Sequence, residues 1–170
     1  MTLVYRTLQR PSDLLKIGPR NIIFRDIEGV RCKVLKLQQN KDNDEDQGVF
    51  TEIIVTPEIE EAIAPQGNVV YPTFIHTADG EQYTYSGINS IFWRDMYEHS
   101  KEVEKATGKK PKPFGIYDLK GKGATDMYLD DVPLEKIQRL CDHASITTTE
   151  IYIKARLVRP IMANKVVMKV

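Results

Sequence analysis

The chain has 170 residues, of which 28% are charged and 41% hydrophobic, and its formal net charge is zero. That length can bury a core in one domain, the composition argues against disorder, and the balanced charge by itself announces no nucleic-acid binder. Cys32 and Cys141 make neither a disulfide framework nor a zinc site, no apolar run is long enough to span a bilayer, and no charged-then-apolar leader opens the chain, so a cytoplasmic protein is expected.

Residues 3–17 carry a partly helical apolar spacing, with Pro11 marking the first turn of a second helical piece after Arg10 and Gly18-Pro19 ending it. Ile22 to Phe24 is a short apolar segment. Val30 to Gln38 reads as a strand, 40–48 as a turn, and Val49 to Val55 as a returning strand rich in β-branched residues. Thr56-Pro57-Glu58 opens a helix over 57–64. Tyr71 to His76 is extended. The longest helical candidate, 84–106, is expected to be capped near Ser86. A Lys/Pro/Gly connection over 107–114 follows, then helices over 117–129, 133–141 and 147–154. The expected architecture is α+β, mainly α-helical with a small antiparallel β-sheet. It forms a single domain over 1–170, with 155–170 as a C-terminal tail.

Charge is unevenly distributed. Between 101 and 122, Lys101, Lys105, Lys109, Lys110, Lys112, Lys120 and Lys122 stand against three acids, and the stretch after Tyr152 adds Lys154, Arg156, Arg159, Lys165 and Lys169. A basic face in the second half suits a phosphate backbone, although a solvated lysine surface gives the same pattern.

The most informative segment is His143-Ala144-Ser145-Ile146-Thr147-Thr148-Thr149-Glu150-Ile151-Tyr152. Its hydroxyl-rich run suits a turn and a helix start, because Ser and Thr side chains accept hydrogen bonds from the free N–H groups of a first helical turn. A tyrosine shortly after such a cap is held at a fixed angle, within reach of a group that His143 also reaches. Alone, a tyrosine on a helix is most often a packing residue. Here three further segments accompany it: Thr7-Leu8-Gln9-Arg10-Pro11-Ser12-Asp13, Leu37-Gln38-Gln39-Asn40-Lys41, and Tyr117-Asp118-Leu119-Lys120-Gly121-Lys122-Gly123-Ala124-Thr125.

In that order these segments resemble the boxes of the tyrosine recombinases, the phage integrase family, over about residues 7–154. The closing box resembles the family's Leu-Gly-His-(Ser/Ala)-Ser-Ile-Thr-Thr-Thr-x-x-Tyr pattern, with Asp142 where glycine is usual. The resemblance implies a catalytic domain that breaks one DNA strand by transesterification, leaving a 3′-phosphotyrosyl link and a free 5′-hydroxyl. It implies Tyr152 as nucleophile, Arg10 as a phosphate clamp steadied by Asp13, Lys41 as general acid and His143 as a hydrogen-bond donor to phosphate. Forked cations suit the charge gathering on the non-bridging oxygens, so neither a metal nor a nucleotide cofactor is needed. Double-stranded DNA is the implied partner, with a homo-oligomer on the DNA and with no membrane or small-molecule substrate. The implied setting is the cytoplasm of a bacterium, the protein being bacterial or phage-encoded and nucleoid-associated.

The chain departs from the family in two ways. Tyr117 stands where histidine is usual, and Lys120 where the second arginine is expected. Lysine keeps the charge but loses the bidentate fork, and loss of one preorganised donor costs about 3–4 kcal/mol of transition-state stabilisation. In addition, Arg10 comes almost at once. The resemblance therefore implies that the N-terminal DNA-clamping domain and the first catalytic-domain helices are missing. A slow or inactive recombinase is expected; a DNA-binding remnant without turnover, a topoisomerase of the same chemistry and a soluble interaction domain whose boxes match by chance are the alternatives.

Overall fold

The computed structural model describes residues 1–39, 49–65 and 69–154. Helix α1 (Thr2–Thr7) stops because Leu8 turns into the left-handed region at φ 54°, its N–H returning to the Val4 carbonyl at 3.1 Å. A bulky residue rarely adopts this conformation. Leu8 holds it because its side chain is completely buried. Arg10 then caps α2 (Pro11–Leu14), with Pro11 at the first helical position, where its missing N–H costs nothing. The break expected after Arg10 is therefore present, and it presents Gln9 and Arg10 from a rigid corner.

A 3-10 turn over Pro19–Asn21 leads into the sheet. The sheet has three antiparallel strands, β1 (Ile22–Ile27), β2 (Val30–Gln39) and β3 (Val49–Ile54), with β2 central. The register runs Ile22↔Leu35 to Ile27↔Val30 on one side of β2 and Val34↔Ile54 to Gln39↔Val49 on the other. The segment read as ending at Phe24 is in fact a full strand. It turns at Glu28-Gly29, both with positive φ (50° and 79°), and a two-residue turn of that kind matches strand twist. Leu35, Leu37 and Ile53 bring the sheet against Leu3, Val4, Leu14, Ile17, Ile59, Phe92 and Ile116, which form the main core.

Helix α3 (Pro57–Ala62) again begins with proline. Helix α4 (Tyr85–Thr107) is capped by Thr84, whose hydroxyl accepts from the Gly87 N–H at 3.1 Å, so the cap lies two residues before the expected Ser86. Helices α5 (Ile116–Leu129), α6 (Leu134–Cys141) and α7 (Ile146–Lys154) follow within a residue or so of their expected bounds. A second apolar cluster joins them: Leu8, Ala124, Ile137, Cys141 and Ile153 are each at most 2% exposed. This cluster clamps the α1–α2 corner, α5, α6 and α7 together, and these are the elements that carry the candidate site. Gly123 lets α1 approach α5, since a Cβ there would lie 2.3 Å from the Tyr5 carbonyl oxygen. No helix among the described residues is long and apolar enough to cross a membrane.

Candidate active site

His143 and Tyr152 are delivered by a helix-ending turn and the short helix that follows it. The end of α6 is a Schellman turn. Asp142 takes the left-handed conformation (φ 56°), its N–H returns to Arg139 and the His143 N–H returns to the Gln138 carbonyl at 3.1 Å. This explains why the family pattern has glycine before the histidine, and why aspartate, which tolerates positive φ, is a workable substitute. Gln138 Nε2 also donates to the His143 carbonyl at 3.0 Å, fixing the backbone from both sides. Ser145 caps α7 as expected: its hydroxyl accepts from the Thr148 N–H at 3.3 Å. Tyr152 follows on α7, half-buried, with its ring centroid 5.7 Å from that of His143 and the planes at 51°.

Lys120 lies in the middle of α5, only 7% exposed, and its Nζ donates to the Cys141 carbonyl at 2.7 Å. The negative end of the α6 dipole thus receives a cation. One residue earlier on the same helix end, Gln9 Nε2 donates to the Leu140 carbonyl at 2.6 Å while also reaching the Thr7 carbonyl. Two adjacent orphan carbonyls at a helix terminus are therefore satisfied by side chains from the α1–α2 corner and from α5.

Electrostatics report the same convergence. Burial lowers the Lys120 ammonium below its ordinary value, and the Arg10 charge lowers it further, while the Cys141 thiol, Asp142 and Asp13 act in the opposite direction. Burial likewise lowers His143, helped by Lys120 and then Arg10, with Asp142 opposing. The Cys141 thiol is pushed up to about 11, mainly by burial. Arg10, Lys120, His143 and Tyr152, which span 142 positions of sequence, thus belong to one neighbourhood. A cavity of about 550 Å³ opens beside it, lined by residues of β3 and the α6 terminus, including Phe50, Arg139 and His143.

The other candidates are placed differently. Asp13 makes no ion pair with Arg10 among the described residues; Arg10 is a cap outside α2, not on a shared helical face, and the Asp13 charge acts on Lys120 instead. Tyr117 is 41% exposed, one turn before Lys120, with its ring centroid 5.8 Å from that of Tyr85. Lys41 lies outside the described residues. Neither Gln9 nor Thr149 stands out in the sequence as a site residue, yet Gln9 is 2% exposed and Thr149 0%, and the Thr149 hydroxyl lies 2.9 Å from His143 Nδ1. The available signal was a glutamine between Leu8 and Pro11, and a threonine beyond the three residues that a helix cap uses. Among the described residues no cluster of His, Cys, Asp and Glu could hold a metal ion.

A family model described as the phage integrase family matches residues 1–157. No curated protein matches the chain. Among solved structures, the Tn1549 transposon integrase in complex with circular intermediate DNA superposes with a TM-score of 0.61 at 15% identity, covering 89% of this chain and 51% of that one. A lambda integrase dimer bound to a COC′ core site gives 0.60 at 18% identity, covering 96% and 44%. The XerA recombinase gives 0.57 at 16% identity, covering 89% and 49%. These likenesses establish the fold. The chain spans about half the length of the solved proteins it resembles.

Proposed function

We infer the activity from one premise: the chain belongs to the phage integrase family. On that premise the chain is a catalytic domain of a tyrosine-type site-specific recombinase, which cleaves and rejoins double-stranded DNA through a 3′-phosphotyrosine intermediate and turns over slowly. The Tyr152 oxygen attacks a phosphodiester phosphorus and gives up its proton. The bond from phosphorus to the 5′ oxygen breaks, and that oxygen takes a proton and leaves as a hydroxyl. The reverse attack by a 5′-hydroxyl rejoins a strand, and because the phosphodiester energy is kept in the protein link, no nucleotide cofactor is consumed.

In this reading Arg10 and Lys120 bind the non-bridging oxygens, His143 donates a hydrogen bond to phosphate, Lys41 protonates the leaving oxygen and Tyr117 offers a neutral hydroxyl in place of imidazolium. Exchange between two duplexes calls for further copies of the chain on the DNA. The observation that carries the reading is the contact of the Tyr152 and His143 rings beside a buried Lys120 whose charge, with that of Arg10, acts on His143. Incubation with nicked suicide duplexes, followed by denaturing gel electrophoresis, tests it. The wild-type chain is expected to form a covalent adduct that Tyr152→Phe cannot form. An adduct that persists in Tyr152→Phe would assign the nucleophile elsewhere.

A second reading, DNA binding without turnover, is favoured by Lys120. Its ammonium is already engaged with the Cys141 carbonyl and lacks the fork that spans two phosphate oxygens. Duplex binding at low salt with no adduct from any nicked substrate would select it.

A further inference from the structure

Thr149 is completely buried, and its hydroxyl makes one hydrogen bond among the described residues, to His143 Nδ1 at 2.9 Å. Other helical threonines in this chain return their proton to the carbonyl four residues back: Thr7 to Leu3 at 2.6 Å, Thr107 to Val103 at 2.7 Å and Thr125 to Gly121 at 2.8 Å. Thr149 does not, and the hydroxyl of Ser145, four residues back, is committed to Thr148. A buried hydroxyl proton needs an acceptor. If Nδ1 carried the ring proton, it would donate to Oγ1 and leave the Thr149 proton with nowhere to go. If Nδ1 is bare, it accepts that proton and both groups are satisfied. The ring proton then sits on Nε2, which makes no hydrogen bond among the described residues.

We propose that Thr149 is a positioning residue that locks His143 in the Nε2–H tautomer, so that the imidazole presents an N–H donor to the reacting phosphodiester. The opposite tautomer would present a lone pair to phosphate oxygens and repel them. Burial and the nearby Lys120 and Arg10 charges disfavour protonation of the ring, and a neutral ring carries a single proton that must be on the correct nitrogen. The use of the tautomer rests on the recombinase reading; the tautomer itself does not.

The test is nitrogen-15 NMR of the full chain, without DNA, at a pH where imidazoles are neutral. The chain has three histidines, His76, His99 and His143, and His143→Gln assigns the third. The expected spectrum has a pyrrole-like Nε2 and a pyridine-like Nδ1 shifted by its accepted hydrogen bond. In Thr149→Val that hydrogen-bond shift disappears and the second tautomer becomes visible; Thr149→Ser restores the wild-type pattern. Covalent adduct on a nicked duplex accumulates more slowly in Thr149→Val and recovers in Thr149→Ser. A pyrrole-like Nδ1 in the wild-type chain overturns the proposal, and so does an Nδ1 resonance unmoved in a folded Thr149→Val. If the valine variant does not fold, the wild-type and serine spectra decide. The expected tautomer with no adduct from the wild-type chain would refute the functional reading and leave the positioning intact.

Discussion

The Lys120 ammonium donates to the Cys141 carbonyl across 2.7 Å, tying the middle of α5 to the residue that ends α6. His143 follows two residues later, so the same bond that anchors the cation also fixes the turn carrying the imidazole. An arginine at this position has five donors and can keep the carbonyl bond while aiming a fork at phosphate. Lys120→Arg is therefore expected to raise the rate of covalent adduct formation on nicked duplexes, by up to about 10²–10³-fold if a full preorganised donor is regained. Single-turnover kinetics on the suicide substrate check this. An unchanged or slower rate in a folded variant would remove Lys120 from the phosphate site.

Lys120 also makes stability depend on pH. Its folded pKa lies below the ordinary value of 10.5, because burial opposes the charged form. Between the folded pKa and 10.5 the unfolded chain binds the proton and the folded chain does not, so this group's contribution to stability rises as pH increases through that window and is lost as pH falls. Lys120→Met has no such group. The difference in unfolding free energy between wild type and Lys120→Met is expected to drift in favour of wild type as pH rises towards 10.5, as urea titrations at several pH values can measure. Tyr5 and Lys122, both raised by their bonds with Asp126, titrate in either protein and cancel in the difference.

Asp142 has two effects that one substitution separates. Its positive φ costs roughly 1–2 kcal/mol for a residue with a Cβ, while glycine would return up to about 1 kcal/mol of that as unfolded-chain entropy. Asp142→Gly should thus leave stability within about 1 kcal/mol of wild type or slightly above it. Its carboxylate also raises the pKa values of His143 and Lys120, so its removal lowers both. The His143 pKa is already below the ordinary 6.5. Its contribution to stability is full above that value and declines as pH falls through 6.5 towards the folded pKa, and in Asp142→Gly the decline extends to lower pH. An NMR titration of the His143 ring checks the direction.

The legible parts of this fold are those set by local chemistry. Proline at the first position fixed the starts of α2 and α3, apolar spacing after Pro133 marked α6, and a hydroxyl cap marked the start of α7, because those signals act within one helical turn. The Glu28-Gly29 hairpin was not legible, since glutamate is an uncommon residue for a turn with positive φ. The proximity of Arg10, Lys120, His143 and Tyr152 followed from the family resemblance, not from spacing. What brings them together is the packing of Leu8, Ala124, Ile137, Cys141 and Ile153, whose partners lie far apart in sequence. Gln9 and Thr149 were hidden because burial of a polar side chain shows only when the groups that satisfy it are in place.

Gly123 gives a last prediction in which two effects compete. In an isolated helix, replacing glycine with alanine stabilises by roughly 0.5–1 kcal/mol. In α5 the added Cβ would lie 2.3 Å from the Tyr5 carbonyl oxygen and 2.6 Å from Leu8 Cδ2. The carbonyl belongs to α1 backbone and cannot rotate away, so α1 must move off α5. Leu8 is the residue whose left-handed turn delivers Gln9 and Arg10, and movement of α1 disturbs that corner. Overpacking of this kind costs about 1–3 kcal/mol, which exceeds the helix gain. Gly123→Ala is therefore expected to lower the urea midpoint and to slow adduct formation together, although residue 123 itself contributes no group to the chemistry. A midpoint raised by the alanine would mean that α1 and α5 do not pack this closely in solution, and the corner that presents Arg10 would have to be redrawn.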